Sequence, residues 1–435
     1  MHLYDLPLLF ALIGLVLYVV LAGADFGAGF WQLVAGRGER GRRVREHAHD
    51  SMAPVWEANH VWLIFVLVVM WTCYPEAFAS IASTLSIPLF VAALGIIFRG
   101  AAYALRAGTS QARELRVIDA IFSIASVLTP FALGTVVGGI ASGRVPVGNA
   151  AGDAWSSWLN PTSVTIGLLA VALSAYLAAV YLAADAVRRG DAEMEQAFRL
   201  RALGAGLVAG GMAAGALVVL RDDTRALFDE LVSGAGLAAV IVSALAGLGT
   251  LLLVRARSYE RSRYSAAVAV AAIVAGWAIA QAPALLPGQL TVEQAAAGDD
   301  TLIAVVAAVV AGVVVLAPSL GLLFTLTLRG SLGHGGSGEE HGPTAVAPLG
   351  GAASAGAGAG GGGAVAAAGV TDEWPTPVHA LGAARNGLLA RGAIAFAVLG
   401  FGFLTVADAG WAHAIGVPCL FAAALLGFRA AVPLD

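Results

Sequence analysis

Long apolar stretches dominate the chain and are separated by short polar segments. Eleven of them are about 20 residues or longer, the length that an α-helix needs to cross the hydrocarbon core of a bilayer. The predicted spans lie near residues 6–34, 54–74, 80–105, 115–141, 162–186, 200–220, 232–254, 264–284, 301–328, 387–407 and 411–430. The pattern therefore predicts an all-α polytopic membrane protein.

Composition supports this class. Of the 435 residues, 59% are hydrophobic and only 12% are charged, so a soluble protein of this length is excluded. No basic patch exceeds what membrane topology requires, and no nucleic-acid partner is expected. The two cysteines, Cys73 and Cys419, lie far apart without a Cys-x-x-Cys motif, which argues against an iron–sulfur or zinc site. The first apolar stretch is too long for a cleaved signal and is interpreted as a retained span.

Arginine placement predicts the orientation of the chain, which contains no lysine. Short cytoplasmic loops collect basic residues. Three arginines follow even-numbered spans, namely Arg144, Arg221 and Arg225, whereas sixteen follow odd-numbered spans: Arg37, Arg40, Arg42, Arg43, Arg45, Arg106, Arg113, Arg116, Arg188, Arg189, Arg199, Arg201, Arg255, Arg257, Arg261 and Arg263. The amino terminus is therefore expected outside, and both the loops after odd-numbered spans and the carboxyl terminus are expected in the cytoplasm.

A change in composition divides the chain. From about residue 330 the sequence becomes rich in Gly, Ala and Ser and includes an unbroken glycine run at 360–363. Such a segment cannot bury a core and is typical of a flexible linker. We predict a nine-span core over residues 1–329, a cytoplasmic linker over 330–386, and an appended two-helix hairpin over 387–435.

Small residues spaced four apart recur in the spans and permit close helix approach. They are the pairs Gly23/Gly27, Ala24/Ala28, Gly134/Gly138 and Gly206/Gly210. Ordinary helix packing is the simplest interpretation of each pair.

Ionisable residues inside spans are rare and are expected to serve a purpose. Asp25 lies in the first span, Glu57 at the start of the second, Arg99 near the end of the third and Asp119 near the start of the fourth. The predicted orientation places all four in the cytoplasmic half of the membrane, at roughly the same depth.

Two interpretations of this cluster remain open. Burial favours a neutral carboxyl group and a nearby arginine favours a carboxylate, a balance that suits a proton relay. The same residues can also form a buried ion pair that only locks helices together. His60 shares a helix face with Glu57 three residues earlier, so we expect it to hydrogen-bond to that acid. Trp56 and Asn59, next to Glu57 and His60, are assigned structural roles.

The histidines argue against haem in the core. Membrane cytochromes need axial His or Met ligands that project into a helix bundle. Within predicted spans lie only His60 and His413, on either side of the linker. The other six are His2, His47, His49, His334, His341 and His379. A bis-His haem in the core is not expected.

Several stretches of the first 330 residues occur together, and in the same order, in a known family. They are Gly23-Ala24-Asp25-Phe26-Gly27-Ala28-Gly29, Pro54-Val55-Trp56-Glu57-Ala58-Asn59-His60-Val61-Trp62-Leu63-Ile64, Tyr74-Pro75, Phe98-Arg99-Gly100, Gly276-Trp277-Ala278-Ile279-Ala280-Gln281-Ala282-Pro283, Leu290-Thr291 with Ala295-Ala296, and Leu316-Ala317-Pro318-Ser319. In these the chain resembles subunit II of the cytochrome bd-type quinol oxidases. It departs where the family often has Trp-Asp-Gly-Asn, since Glu57 is a longer acid and Ala58 is bulkier than glycine.

The resemblance implies a fold of two four-helix bundles plus one peripheral helix, located in the bacterial plasma membrane. It also implies a homologous partner, subunit I, which carries the quinol-oxidising loop, two b-type haems and one d-type haem, or b-type haems only. Small single-span accessory subunits can belong to such complexes, and membrane lipid and quinone surround them. Subunit II itself carries no haem. The complex oxidises quinol and reduces O₂ to water with protons taken from the cytoplasm. Asp25, Glu57 and His60 are then expected to contribute a proton pathway, with Arg99 as their charge partner.

The rival function is that of a proton-coupled secondary transporter, which would also explain buried acids. Internal repeats and paired broken helices, which mark many transporters, are not evident in the sequence. A third interpretation is a purely structural partner whose acids only pair with Arg99.

Overall fold

The computed structural model describes residues 2–52, 56–107, 109, 111–328 and scattered positions between 392 and 426. At residues 52, 56–58, 107, 112 and 316–328 it describes the backbone without the side chains. The chain divides into two units, Met1–Gly338 and Glu339–Asp435, and the helices and strands with described bounds all belong to the first. The predicted linker lies outside the described residues, as does the final hairpin apart from those scattered positions, so the predicted domain division stays a prediction.

The described part is almost entirely helical. Its elements in chain order are α1 (Asp5–Leu33), α2 (Gly38–Met52), α3 (Trp56–Cys73), α4 (Pro75–Thr84), α5 (Ser86–Ala107), α6 (Ala112–Ala141), α7 (Pro161–Arg188), α8 (Ala192–Asp223), α9 (Arg225–Leu231), α10 (Gly234–Arg255), α11 (Tyr259–Gln281), β1 (Ala284–Leu286), β2 (Leu290–Thr291), α12 (Val292–Ala295) and α13 (Asp299–Leu328). The two short strands form an antiparallel pair. The prediction of an all-α fold is confirmed.

Seven of the described helices are long and apolar enough to cross a membrane, namely α1, α5, α6, α7, α8, α10 and α11. An eighth span results if α3 and α4 are counted together. Helix α13 covers the ninth predicted span of the core. The chain is therefore a polytopic membrane protein, and the count of nine core spans stays a prediction.

The second predicted span, 54–74, corresponds to α3, and the largest difference from the prediction follows it, where the third span was expected to begin. Helix α3 ends at Cys73, and the chain turns by 120° into α4. Pro75 is the first residue of α4, where its missing N–H costs no hydrogen bond and its fixed φ suits a helix start. A third helix, α5, then begins at Ser86 rather than at the predicted residue 80.

Helix α2 lies in what the sequence suggested was only an arginine-rich loop. Its buried side consists of Val44, His47 and Ala48, and His47 Nε2 lies 3.0 Å from the carbonyl oxygen of Leu182 in α7. Exposed arginines and glutamates cover its other side, as in Arg42 between Glu39 and Glu46. A helix of this kind is amphipathic and suits the membrane–water interface.

Polar contacts bring the arginine-bearing loops to one end of the helices, here called the arginine-rich end. Arg43 of α2 lies 2.7 Å from Asp191 in the α7–α8 connection. The hydroxyl of Tyr259, at the start of α11, donates to Glu195 of α8 at 2.7 Å. At the opposite end Arg144 pairs with Asp223 at 2.7 Å. The loops thus alternate between two ends, as the arginine pattern predicted.

Helix α1 packs against α3, α6 and α7, while α5 packs on α6, α7 on α8, and α10 on α11. Small residues permit the closest of these approaches. A Cβ atom on Gly27 would overlap the Ser174 carbonyl oxygen and lie 2.7 Å from Ala178 Cβ, so only glycine allows α1 to reach α7 there. By contrast, a Cβ atom on Gly210 would meet no described atom within 4 Å.

We predict that Gly27→Ala lowers the free energy of unfolding by about 1–3 kcal/mol, since the added methyl group must push apart two backbones. The measurement is a mixed-detergent unfolding titration followed by far-ultraviolet circular dichroism. Gly210→Ala is the matched control, because it adds the same methyl group in open space and favours a helix. Equal losses in both variants would contradict the close α1–α7 contact.

Candidate functional site

Arg99 is the largest fully buried side chain among the described residues, with 1% of its surface exposed. It projects from α5 between two aromatic rings. Its guanidinium carbon lies 4.8 Å from the ring centre of Phe26 in α1 and 4.7 Å from that of Phe122 in α6. Both distances suit cation–π attraction, which is stronger where water is excluded. A single arginine thereby joins three helices.

Asp25 provides the opposite charge. It is fully buried, and its Oδ1 accepts a hydrogen bond from Arg99 Nη2. The same Nη2 donates to the Asp25 carbonyl oxygen at 3.2 Å. Asp25 Oδ2 and Arg99 Nε and Nη1 are buried without a hydrogen-bond partner among the described residues. The pair therefore keeps one acceptor atom and two donor atoms that no described residue engages.

Three more polar side chains lie on α1 and on α3, which packs against α1. The His60 ring lies 6.1 Å from both the Tyr18 and Phe26 rings, measured between centroids. The Tyr18 hydroxyl and Asn59 Nδ2 are buried and have no partner within the described part of the chain. We call Tyr18, Asp25, Asn59, His60 and Arg99 the buried polar cluster.

Glu57 and Trp56 lie in the first turn of α3, at the arginine-rich end and immediately before Asn59 and His60. Their side chains are outside the described set. The predicted hydrogen bond between Glu57 and His60 therefore stays a prediction.

Small residues on α1 and α5 explain how three helices meet at the cluster. Gly95 precedes Arg99 by one turn, and a Cβ atom there would overlap the Thr129 hydroxyl of α6. Gly29 follows Asp25 by one turn, and a Cβ atom there would overlap Ser126 of α6. Both close contacts draw α1 and α5 onto the α6 face that carries Phe122.

Asp119 does not join this cluster, contrary to what its expected depth suggested. It pairs with Arg106, and both side chains are 25% exposed. The reason is side-chain direction. Side chains on a helix lean towards its amino terminus, so Asp119 leans towards the start of α6 at the arginine-rich end, while Arg106 leans back along α5 to meet it. Beside them His49 packs on Tyr103, with ring centroids 5.6 Å apart.

The described residues do not fit a haem with two axial histidines. Among the described residues, His60 is the one histidine that lies in a membrane span, and its ring packs against Tyr18 and Phe26. His47 lies outside the spans in α2, with its ring nitrogen on the Leu182 carbonyl oxygen. No group of three or more His, Cys, Asp or Glu residues within the described part is arranged to hold a metal ion.

Residues 4–327 match the sequence profile of the family described as cytochrome bd terminal oxidase subunit II. The chain belongs to this family. The match includes every residue of the buried polar cluster, and the family resemblance of its sequence motifs is confirmed.

Individual relatives agree with this assignment. The chain is 29% identical over 134 residues to cytochrome bd ubiquinol oxidase subunit 2 of Bacillus subtilis, an alignment that covers 31% of this chain and 39% of the relative. It is 26% identical over 184 residues to cytochrome bd-I ubiquinol oxidase subunit 2 of Escherichia coli K12, covering 39% of this chain and 46% of that protein. The alignments thus span less than half the length of either relative.

A solved structure shares the fold of this subunit II. A chain of the bd oxidase from Geobacillus thermodenitrificans superposes with a TM-score of 0.63 at 24% identity, covering 76% of this chain and 99% of that one.

Sequence reasoning found Asp25, Arg99 and His60 but missed the aromatic rings around the guanidinium. Phe26 could have been predicted from the sequence, because it adjoins Asp25 in the Gly-Ala-Asp-Phe-Gly stretch. Phe122 carries no such signal, since an apolar span contains many equivalent phenylalanines. Only the packing of α5 on α6 distinguishes it.

We predict that Arg99→Gln lowers the free energy of unfolding of this subunit by about 3 kcal/mol, because it breaks a buried ion pair and removes a cation from two rings. Arg106→Gln is the matched control. Its pair with Asp119 is partly exposed, and its loss should cost no more than about 1 kcal/mol. A mixed-detergent unfolding titration measures both variants, and equal effects would show that burial of the Arg99 pair contributes nothing extra.

Proposed function

We propose that this chain is the haem-free second subunit of a bd-type terminal oxidase that oxidises quinol and reduces O₂ to water. Its partner is a haem-bearing subunit I with b-type haems and haem d, or b-type haems only. Family membership and the set of membrane helices support this assignment. The complex lies in the bacterial plasma membrane, with the arginine-rich end of this subunit in the cytoplasm, where the positive-inside rule places it.

Within that complex the buried polar cluster forms part of the route by which protons enter from the cytoplasm. The observation that carries this proposal is the asymmetry of Asp25. Its Oδ1 is held by Arg99, while its Oδ2 is buried with no partner among the described residues. Oδ2 is therefore the atom at which this carboxyl group takes up and releases a proton.

The charges of the site support exchange of one proton. The Arg99 guanidinium compensates one carboxylate, that of Asp25. The first turn of α3 adds a second acid to the proposed route, Glu57. Two acids that share one arginine favour uptake of a proton. The pair of acids thus holds one exchangeable proton beside a fixed cation.

The order of the two acids follows from the helices. Glu57 lies in the first turn of α3 at the arginine-rich end, whereas Asp25 precedes the end of α1 by eight residues. At about 1.5 Å per residue, Asp25 lies about 12 Å along α1 from that end. Glu57 is accordingly the acid nearer the arginine-rich end, and Asp25 lies deeper in the membrane. His60 lies one turn further along α3 than Glu57.

A proton route predicts that Glu57→Gln slows oxygen reduction per haem by about 10²-fold or more while the complex still assembles. The amide keeps the size and hydrogen bonding of the acid but cannot release a proton. Asp25→Asn should slow turnover to a similar or smaller degree. Its amide oxygen can still accept a hydrogen bond from Arg99, so the complex should still assemble. Oxygen consumption and haem content of the purified complex are measured together.

Two comparisons sharpen this experiment. Glu57→Asp should recover most of the rate, because it restores an acid and is the residue that the family often has. Asp229→Asn changes an exposed acid paired with Arg225 away from the cluster and should leave turnover normal. Normal turnover in Glu57→Gln would refute the proton-route role. Joint loss of subunit and haem in both amide variants would show that the acids only compensate Arg99.

The haem-free assignment makes a separate prediction. This chain, expressed without its partner and purified, should contain no stoichiometric haem, because one span histidine among the described residues cannot supply two axial ligands. A reduced-minus-oxidised spectrum tests this. A stoichiometric bis-His signal from the isolated chain would contradict it, whereas the same spectrum of the whole complex should show the partner's haems.

A further inference from the structure

A pocket of about 520 Å³ opens at the arginine-rich end, between the α1–α2 connection and α8. Arg37 and Arg40 line it from the connection and the start of α2, and Arg201 lines it from α8. Ala35, Ala197 and Leu200 form its apolar wall. The pocket therefore combines three guanidinium groups with an apolar surface.

The charges of these three arginines are not compensated within the described part of the chain. Several of their neighbours at the same end do have carboxylate partners: Arg42 pairs with Glu39 and Glu46, Arg43 with Asp191 and Glu193, and Arg189 with Asp185. Arg37, Arg40 and Arg201 form no ion pair with any described residue. Other arginines of that end, such as Arg45 and Arg199, also lack a carboxylate partner in the described part but do not line the pocket. Three unpaired guanidinium groups converge on the pocket and favour an anion there.

Arg201 is held in place for binding. Its Nη1 donates to the Ala197 carbonyl oxygen at 3.1 Å, and its guanidinium carbon lies 5.6 Å from the Trp31 ring centre and 5.1 Å from that of Phe198. Trp31 is itself fixed, because its indole N–H donates to the Ala175 carbonyl oxygen at 2.8 Å. Little conformational freedom remains to be lost when an anion binds, and this preorganisation favours affinity.

The surroundings favour a lipid over a soluble anion. Leu200 is 56% exposed, and Leu33 and Val34, just before Ala35 in the chain, are 48% and 50% exposed. Exposed leucine and valine beside a membrane span suit acyl chains. The amphipathic helix α2 and the indole of Trp31 are features of the membrane–water interface, where phospholipid headgroups lie.

We propose that this pocket binds the phosphate of an anionic phospholipid, such as phosphatidylglycerol or cardiolipin, from the adjacent leaflet. The guanidinium groups of Arg37, Arg40 and Arg201 donate to the phosphate oxygens, for which their geometry is well suited. The acyl chains lie along the apolar wall at Leu200. Basic pockets at the cytoplasmic ends of membrane helices bind such headgroups in general.

The test uses the full-length chain in its purified complex, delipidated in mild detergent and titrated with phosphatidylglycerol or phosphatidylcholine. Native mass spectrometry then counts the lipids retained. The double variant Arg37→Gln/Arg40→Gln changes two exposed side chains, so its folding should be unaffected. A contribution of about fivefold per arginine predicts that phosphatidylglycerol binding weakens about 25-fold, with phosphatidylcholine binding unchanged. Adding Arg201→Gln should weaken it further.

The matched control is Arg113→Gln/Arg116→Gln, which removes two exposed arginines at the same end but outside the pocket. It should retain phosphatidylglycerol as the unmodified chain does. Equal weakening in both double variants would mean that surface charge alone attracts the lipid, and would overturn the site. Excess inorganic phosphate should not displace the lipid; displacement would show that the pocket takes a soluble phosphate and would overturn the lipid assignment.

Discussion

The charge of Arg99 inside a lipid-embedded bundle is the constraint on which the rest of the site depends. A guanidinium cannot lose its proton at any pH that the cell meets, so its neighbours must compensate it. Asp25 supplies the counter-charge, and Phe26 and Phe122 cover the two faces of the guanidinium. These partners come from α1 and α6, and they reach α5 only because glycines allow the three backbones to approach closely. The glycines of these helices thus permit close packing, and that packing brings the Arg99 guanidinium to the groups that compensate its charge.

The geometry of Asp25 is compatible both with a pair that locks helices together and with the proposed proton route. A buried pair that engaged every donor and acceptor would be rigid and inert. Here one oxygen of Asp25 holds the arginine, and the other has no partner among the described residues. In the proposed route the first contact persists while the second atom changes protonation, so helix packing is kept at each turnover. The same reasoning separates Arg99 from Arg106, whose pair with Asp119 is partly exposed to solvent.

Much of the fold was predictable because lipid leaves the backbone few choices. Every buried N–H and C=O must be satisfied within the segment, so long apolar stretches become helices, and arginine counts sort their ends. The meeting of Asp25 with Arg99 was predictable for the same reason, since each charge needs a partner. Helix α2 was missed because its density of charge obscured an amphipathic pattern with Val44 and Ala48 on one side. The partner of Asp119 was missed because depth was judged from chain position, whereas side-chain direction decided the contact.

Arginine at the ends of these helices serves more than orientation, and the pattern of ion pairs shows why. The orientation of a span depends on how many basic residues flank it, and carboxylates beside those residues have little effect on it. In the folded chain four arginines of the α1–α2 and α7–α8 connections, namely Arg42, Arg43, Arg188 and Arg189, pair with nearby acids. Arg37, Arg40 and Arg201 pair with no described acid, and they surround one pocket with an apolar wall. The proposed anionic lipid would balance the three unpaired guanidinium groups that converge on this pocket, beside an apolar wall that suits its acyl chains.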